Sequence, residues 1–272
     1  MQRFSSTPCG MYASFWRNRS LVRTLVRREV TGRYQGSILG IIWSFVNPLF
    51  MLAVYTFVFS VVLKARWNVG NDSKTEFALV LFAGLIIFNL FADCLNRAPS
   101  LILANANYVK KVIFPLEILP LVVMGSALFH ALISLSVWLV FYFIFFGVPP
   151  ASALLFPVLI MPVILLTMGF SWILASLGVF LRDISQVTGL VTTVLMFLSP
   201  IFYPLSALPV EYRSVLFLNP LTFALEQLRN ALIWGKIPDL LEFSVYLAVS
   251  ALVAWLGFAW FQKTRKGFAD VL

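Results

Sequence analysis

A single histidine, His130, and the carboxylates Asp93, Glu117 and Asp183 are the groups in or beside the long apolar runs that could move protons or hold a metal. Their spacing argues against both roles. His130 has no second histidine or carboxylate three or four residues away, so a helix face cannot offer a metal a pair of ligands there. An ionisable group inside a membrane is a functional hypothesis by default. For His130 the plain alternative is a neutral imidazole hydrogen-bonded to an adjacent helix. The carboxylates map to the inner ends of apolar runs, away from the bilayer centre, where a charge costs at least about 2.5–3.5 kcal/mol. No acids cluster on one face for glycosyl chemistry, and none sits mid-membrane to bind a coupling proton or sodium ion. No G-x-x-x-x-G-K-[ST] run is present to cradle nucleotide phosphates. Cys9 and Cys94 are far apart in unlike surroundings and suggest neither a disulfide framework nor a metal site. The sequence predicts no catalytic residue, no cofactor in this chain and no metal.

Composition sets the elements that hold these residues. The 272 residues are 61% hydrophobic and 11% charged, with a mean hydropathy of +0.93. That excludes a soluble globular domain and predicts an integral membrane protein with no separate soluble part. The net charge of +9 could suit nucleic acid, but position argues otherwise. Arg3, Arg17, Arg19, Arg23, Arg27, Arg28 and Arg33 all precede the first apolar run. Basic residues there set topology and meet anionic headgroups, so membrane lipid is the expected partner and nucleic acid is not. The same stretch is too basic and polar for a signal peptide, so the first span should stay in the membrane.

A span needs about 20 apolar residues to cross roughly 30 Å of hydrocarbon. Six runs qualify or nearly do: 38–63, 77–95, 118–146, 151–181, 187–203 and 244–261. Pro157 and Pro162 interrupt the fourth and predict a kink. With the N-terminus inside, the outer segments carry only Lys64, Arg66, Lys74, Arg213, Arg229 and Lys236 of the 20 Lys and Arg. Six spans with both termini inside is the consistent topology.

Before the first span, Leu21/Val22 and Leu25/Val26 repeat at a spacing of four beside the basic row Arg19, Arg23 and Arg27. That predicts a surface helix, either an anchor on the inner leaflet or an interface helix that also touches a cytoplasmic partner. The loop 96–117 places Leu101, Ile102 and Leu103 in a polar setting, followed by Asn105, Tyr108, Lys110, Lys111 and Phe114-Pro115. It is either a short helix offered to a soluble neighbour or a basic connector. Arg182-Asp183 can pair locally or across a subunit boundary. After the fifth run, SPIFYP with Pro200 and Pro204 prevents a straight helix from continuing into water. Pro209 can open a short helix, and Asn219-Pro220 a second one, as cap and first position. Leu221, Leu225, Leu228 and Leu232 share a face of that second helix, where Glu226 and Arg229 can pair. Neither segment is long enough to span, so 204–240 is predicted to dip into the membrane and return.

Five segments carry a resemblance beyond this physical reading. They are RREVTGRYQGSILGIIW with Arg33, Tyr34, Leu39, Gly40 and Trp43, and YVKKVIFPLEILP with Lys110, Lys111 and Pro115. LGVFLRDI with Arg182 and Asp183 follows, then SPIFYP and NPLTFALEQLR. In this order, on six spans, the chain resembles the transmembrane subunit of type 2 ABC exporters, in the bacterial branch that exports lipid-linked O-antigen, capsular polysaccharide or teichoic acid. The resemblance implies an all-α membrane fold with a homodimer of this subunit and two copies of a separate ABC ATPase that binds ATP and Mg. It implies an undecaprenyl-linked polysaccharide as substrate and the bacterial inner membrane as location. It assigns coupling to an interface helix at 11–32 and a helix at 98–112, with Arg19, Arg23, Arg27, Asn105, Tyr108, Lys110, Lys111, Arg182 and Asp183 as candidates. The polymer path would run between subunits along spans one and five. Trp43, Tyr55, Phe197, Phe202 and Tyr203 are candidates there, because flat ring faces suit pyranose C–H faces. The alternative for each is lipid contact or core packing. An outer gate would hold Pro200, Pro204, Pro209, Asn219, Pro220, Glu226 and Arg229. Rival readings are a type 2 exporter of a drug, lipid or lipo-oligosaccharide, a stand-alone channel, and a membrane glycosyltransferase.

Overall fold

In the computed structural model, which describes residues 6–62, 67, 74–109, 114–217 and 219–272, the basic N-terminal segment forms two helices. α1 (Pro8–Arg17) starts with Thr7 accepting from the Gly10 amide, and Asn18 separates it from α2 (Arg19–Gly32). The segment at 11–32 is therefore a broken pair. The Asn18 side chain turns back to the Ser14 carbonyl, so the break is a cap. Every other regular element among the described residues is helical too. α3 (Trp43–Tyr55) contains Pro48 and runs into a π-helical turn at Thr56–Val62. α4 (Lys74–Ala104) and the short α5 (Ala106–Val109) are followed by α6 (Leu119–Phe146). A short α7 (Phe156–Leu159) precedes α8 (Met161–Phe180), and α9 (Ile184–Leu198) ends just before SPIFYP. α10 (Val210–Phe217) and α11 (Pro220–Leu232) lead to α12 (Leu240–Thr264) and a terminal turn, α13 (Phe268–Val271).

Among the described residues, five helical stretches are long and apolar enough to cross a membrane: Gly40–Val58, Thr75–Ala104, Leu116–Phe146, Ala151–Phe180 and Leu240–Val271. α9 is apolar but has only 15 residues, roughly 22 Å of helix. α4 runs past the expected end of its span at 95. Polar residues end the apolar run there, but Asp93 and Arg97 are one helical turn apart and pair, so the helix itself continues.

α4 is the axis of the bundle, packed against α6, α8 and α9, while α12 lies on α8. Every residue from 77 to 91 is buried except Asn89. The closest crossings are made by glycine. Gly169 on α8 meets the Val253 backbone of α12, Gly257 meets the Gly169 backbone, and Gly178 faces the Pro99 carbonyl of α4. A methyl at 178 would run into backbone that cannot rotate away. Gly178→Ala should therefore lower stability by about 1–3 kcal/mol through overpacking, read as a lower melting temperature in detergent. A melting point unchanged or raised, as helix propensity alone would give, would show that the crossing is looser.

Candidate functional site

Where the C-terminal end of α4 meets the N-terminal end of α6, ion pairs and stacked rings join the N-terminal helices to the bundle. Val22 and Leu25 on α2 bury themselves against Ile118 and Val122. The apolar stripe, read as part of either a leaflet anchor or an interface helix, thus packs on the protein's own third apolar stretch. On the other flank Glu29 pairs with Arg97, which also reaches Asp93 at 3.7 Å, and Arg33 reaches the same carboxylate at 3.3 Å. Arg28 donates to the Tyr108 hydroxyl at 3.3 Å, and the Tyr108 ring stacks on Phe114 at 4.2 Å. Asn105 donates to the Leu101 carbonyl, ending α4 before α5 begins. Burial, which outweighs the charge of Arg33, raises the Tyr34 phenol above its ordinary value, so its hydroxyl stays protonated at neutral pH.

A second knot lies around Glu117, which is buried. Ser14 of α1 donates to its Oε1 at 2.8 Å, and Arg265, beyond the end of α12, pairs with Oε2 at 2.5 Å. Arg265 also donates to the Phe114 carbonyl, and the Trp172 indole donates to the Glu117 carbonyl. One carboxylate therefore fastens the first helix, the approach to α6 and the last helix.

The opposite end is organised by Arg229, whose side chain is fully buried on α11. Its Nε donates to the Val80 carbonyl of α4 at 3.1 Å, Nη2 to the Ile201 carbonyl at 3.0 Å, and Nη1 to the Pro200 carbonyl. The guanidinium lies over the Trp67 ring at 4.4 Å. Glu226 is 3.7 Å away, so the pair expected from spacing forms, but as a side contact of a cation held mainly by backbone. Asn219 caps α11 by accepting from the Leu221 amide, and its Nδ2 donates to the Ser199 hydroxyl at 2.8 Å. Both ends of α11 thus grip SPIFYP. Leu221, Leu225, Leu228 and Leu232 are all buried beneath it.

The ABC-2 type transporter family matches residues 20–233, a stretch that takes in nearly all of α2, Asp93, Glu117 and the whole of α11. The chain belongs to this family. An O-antigen export system permease protein of Myxococcus xanthus is 31% identical over 254 residues, 93% of this chain and 95% of the relative. A permease of the same description from Klebsiella pneumoniae is 26% identical with the same coverage. A polysialic acid transport protein of Escherichia coli is 26% identical over 90% of this chain and 93% of its own.

On this ABC-2 transporter subunit the coupling candidates separate into two groups. Tyr108 on α5 is tied to α2 through Arg28 and Asn105 only to the end of α4, whereas Arg19, Arg23 and Arg27 are exposed, Arg19 resting on the Trp16 ring at 4.5 Å. Arg182 and Asp183 are exposed and form no ion pair with each other among the described residues. Lys110 and Lys111 lie outside the described residues. Among the aromatic candidates, Tyr55, Phe197 and Phe202 gather, with Phe202 6.1 Å from Tyr55 and 6.0 Å from Phe197. Phe202 is itself buried, Phe197 is 58% exposed, and the Tyr203 hydroxyl donates to the Phe197 carbonyl. Trp43 stands apart from them, exposed on α3 beside Asp93 and His130. Pro200 and Pro204 lie in non-helical backbone, and Pro209 immediately precedes α10. Sequence reasoning missed the joint role of Ser14, Glu117 and Arg265, because the three are more than 100 residues apart in the chain at either end of the set.

Proposed function

We propose that this chain is the membrane subunit of an ATP-driven exporter of lipid-linked polysaccharide, with O-antigen the foremost candidate, in the bacterial inner membrane. Its similarity to O-antigen export permeases over more than nine-tenths of both chains carries the reading. Two copies pair with two copies of an ABC ATPase that binds ATP and Mg, and the polymer passes between the copies. α9 serves as the fifth of six spans, and the short α10 and α11 dip from the outer face. Both termini lie in the cytoplasm. The exposed Arg19, Arg23 and Arg27 on one side of α1–α2 suit contact with the ATPase, while the other side grips α4 and α6.

Deleting the gene should leave lipid-linked polymer inside the cell and strip it from the surface. Normal surface polymer in the deletion strain would sink this reading. Covalently tying α10–α11 of one copy to those of its mate should block export if these segments gate the path, and full export by the tied dimer would exclude that role.

A further inference from the structure

A cleft of about 700 Å³ lies among α3, α4 and α6 within one subunit, and none of its lining residues comes from α9 or from SPIFYP. Its wall on α3 includes Trp43, which is also a candidate for the path between subunits. Its volume is that of a small-molecule site, about 300–1,000 Å³. Each wall carries polar groups at helical spacing: Ser44 and Asn47 on α3, Asn89 and Asp93 on α4, His130 and Ser134 on α6. Asn89 is the one uncovered residue in the most buried stretch of the bundle. An amide left bare in hydrocarbon would be costly, so this position calls for water or a polar occupant in the cleft. Neither Asn47, Asn89 nor Ser134 has a hydrogen-bond partner among the described residues. The same holds for His130 Nε2, while its Nδ1 is 3.5 Å from the Tyr34 hydroxyl. Pro48, also in the wall, removes the amide that would have satisfied the Ser44 carbonyl. Ala127 and Ala131 beside His130 keep the α6 wall low.

Charge indicates what fits. Arg33 and Arg97 are matched by Asp93 and Glu29, so the cleft has no surplus cation to attract a phosphate or diphosphate. Free amides that both donate and accept, an ion-paired carboxylate and the exposed Trp43 ring instead suit a neutral polyhydroxyl ligand. Vicinal hydroxyls bridge to amides, and the indole face packs on C–H groups. We propose that the cleft binds neutral sugar residues of the glycan within each subunit; this rests on the exporter reading above.

Cysteine protection tests it in membranes holding the complete exporter. Asn89→Cys is introduced on a Cys9→Ser background, leaving only the buried Cys94, and is labelled with a water-soluble maleimide. Vesicles from cells that make the lipid-linked glycan are compared with vesicles from cells lacking its first glycosyltransferase. Labelling should be about threefold slower with glycan present, the ratio for a ligand at about twice its dissociation constant. Asn47→Cys on the facing helix is a second probe should Asn89→Cys fail to accumulate. Native Cys9 in the unsubstituted chain should label equally in both vesicles. Equal rates at the cleft positions overturn the proposal, as does absence of labelling in both vesicles. Protection in glycan-free vesicles that detergent relieves would assign the cleft to a lipid chain and overturn it too. Persistent surface polymer in the deletion strain would instead strike the exporter reading, whatever the labelling shows.

Discussion

Arg229→Met should produce a chain that melts far below the parent in detergent and exports no polymer. The methionine fills much of the volume but leaves the carbonyls of Val80, Pro200 and Ile201 without their donor. Each buried acceptor left unsatisfied costs about 1–3 kcal/mol. Three such acceptors place the total at about 3 kcal/mol or more. Arg229→Lys is the informative companion. It keeps the charge but not the planar fork that reaches three carbonyls on two elements, so it should recover part of the stability and little of the export. Glu226→Gln should be nearly silent on stability, because the carboxylate is a partner at 3.7 Å and partly exposed. If Arg229→Met melts with the parent, or if Glu226→Gln is the more damaging change, the account of Arg229 as a backbone clamp is wrong.

Glu117→Leu is expected to be the second most damaging substitution. It strands Arg265 in a largely buried site and removes the acceptor for Ser14. Breaking such a pair costs about 3–5 kcal/mol, much of it the penalty of the abandoned charge. Adding Arg265→Met should therefore restore stability instead of lowering it further, since two apolar groups replace two charges. Measured in detergent, the double variant should melt well above Glu117→Leu alone. Simple additivity of the two losses would show that the groups act independently. The restored protein should still export poorly, because the tether between α1 and the end of α12 is gone. Wild-type export by the double variant would separate that tether from transport.

Much of this molecule is legible in its sequence, and the unread parts share a cause. Apolar runs and prolines mark the helices, and Asn219-Pro220 marks the start of α11 because caps are local devices. The buried leucine face of α11 follows from spacing of the same kind. Arg229 was visible only as a partner for Glu226, three residues away. Its carbonyl acceptors lie 28, 29 and 149 residues off, and no periodicity points to them. The stripe on α2 was legible as apolar, but not what covers it, since lipid and a neighbouring helix demand the same residue types. Asn89 was in plain sight as the one amide in the run from 77 to 91, yet a polar residue in a span has no address until its neighbours are placed.

The uninterrupted course of α4 has a mechanical meaning. Arg97, near one end, is held by Glu29 of α2, and Val80, near the other, is held by Arg229. Between them lie about 25 Å of helix with no proline. Buried on all sides but the cleft beside Asn89, such a rod resists bending and passes a push on mainly as a tilt. A tilt of about 5° imposed at Arg97 displaces Val80 by roughly 2 Å over that length. A hydrogen bond at 3.1 Å does not survive such a displacement. On the proposed exporter reading, a push delivered at Arg97 would therefore reach the Arg229 clamp through α4.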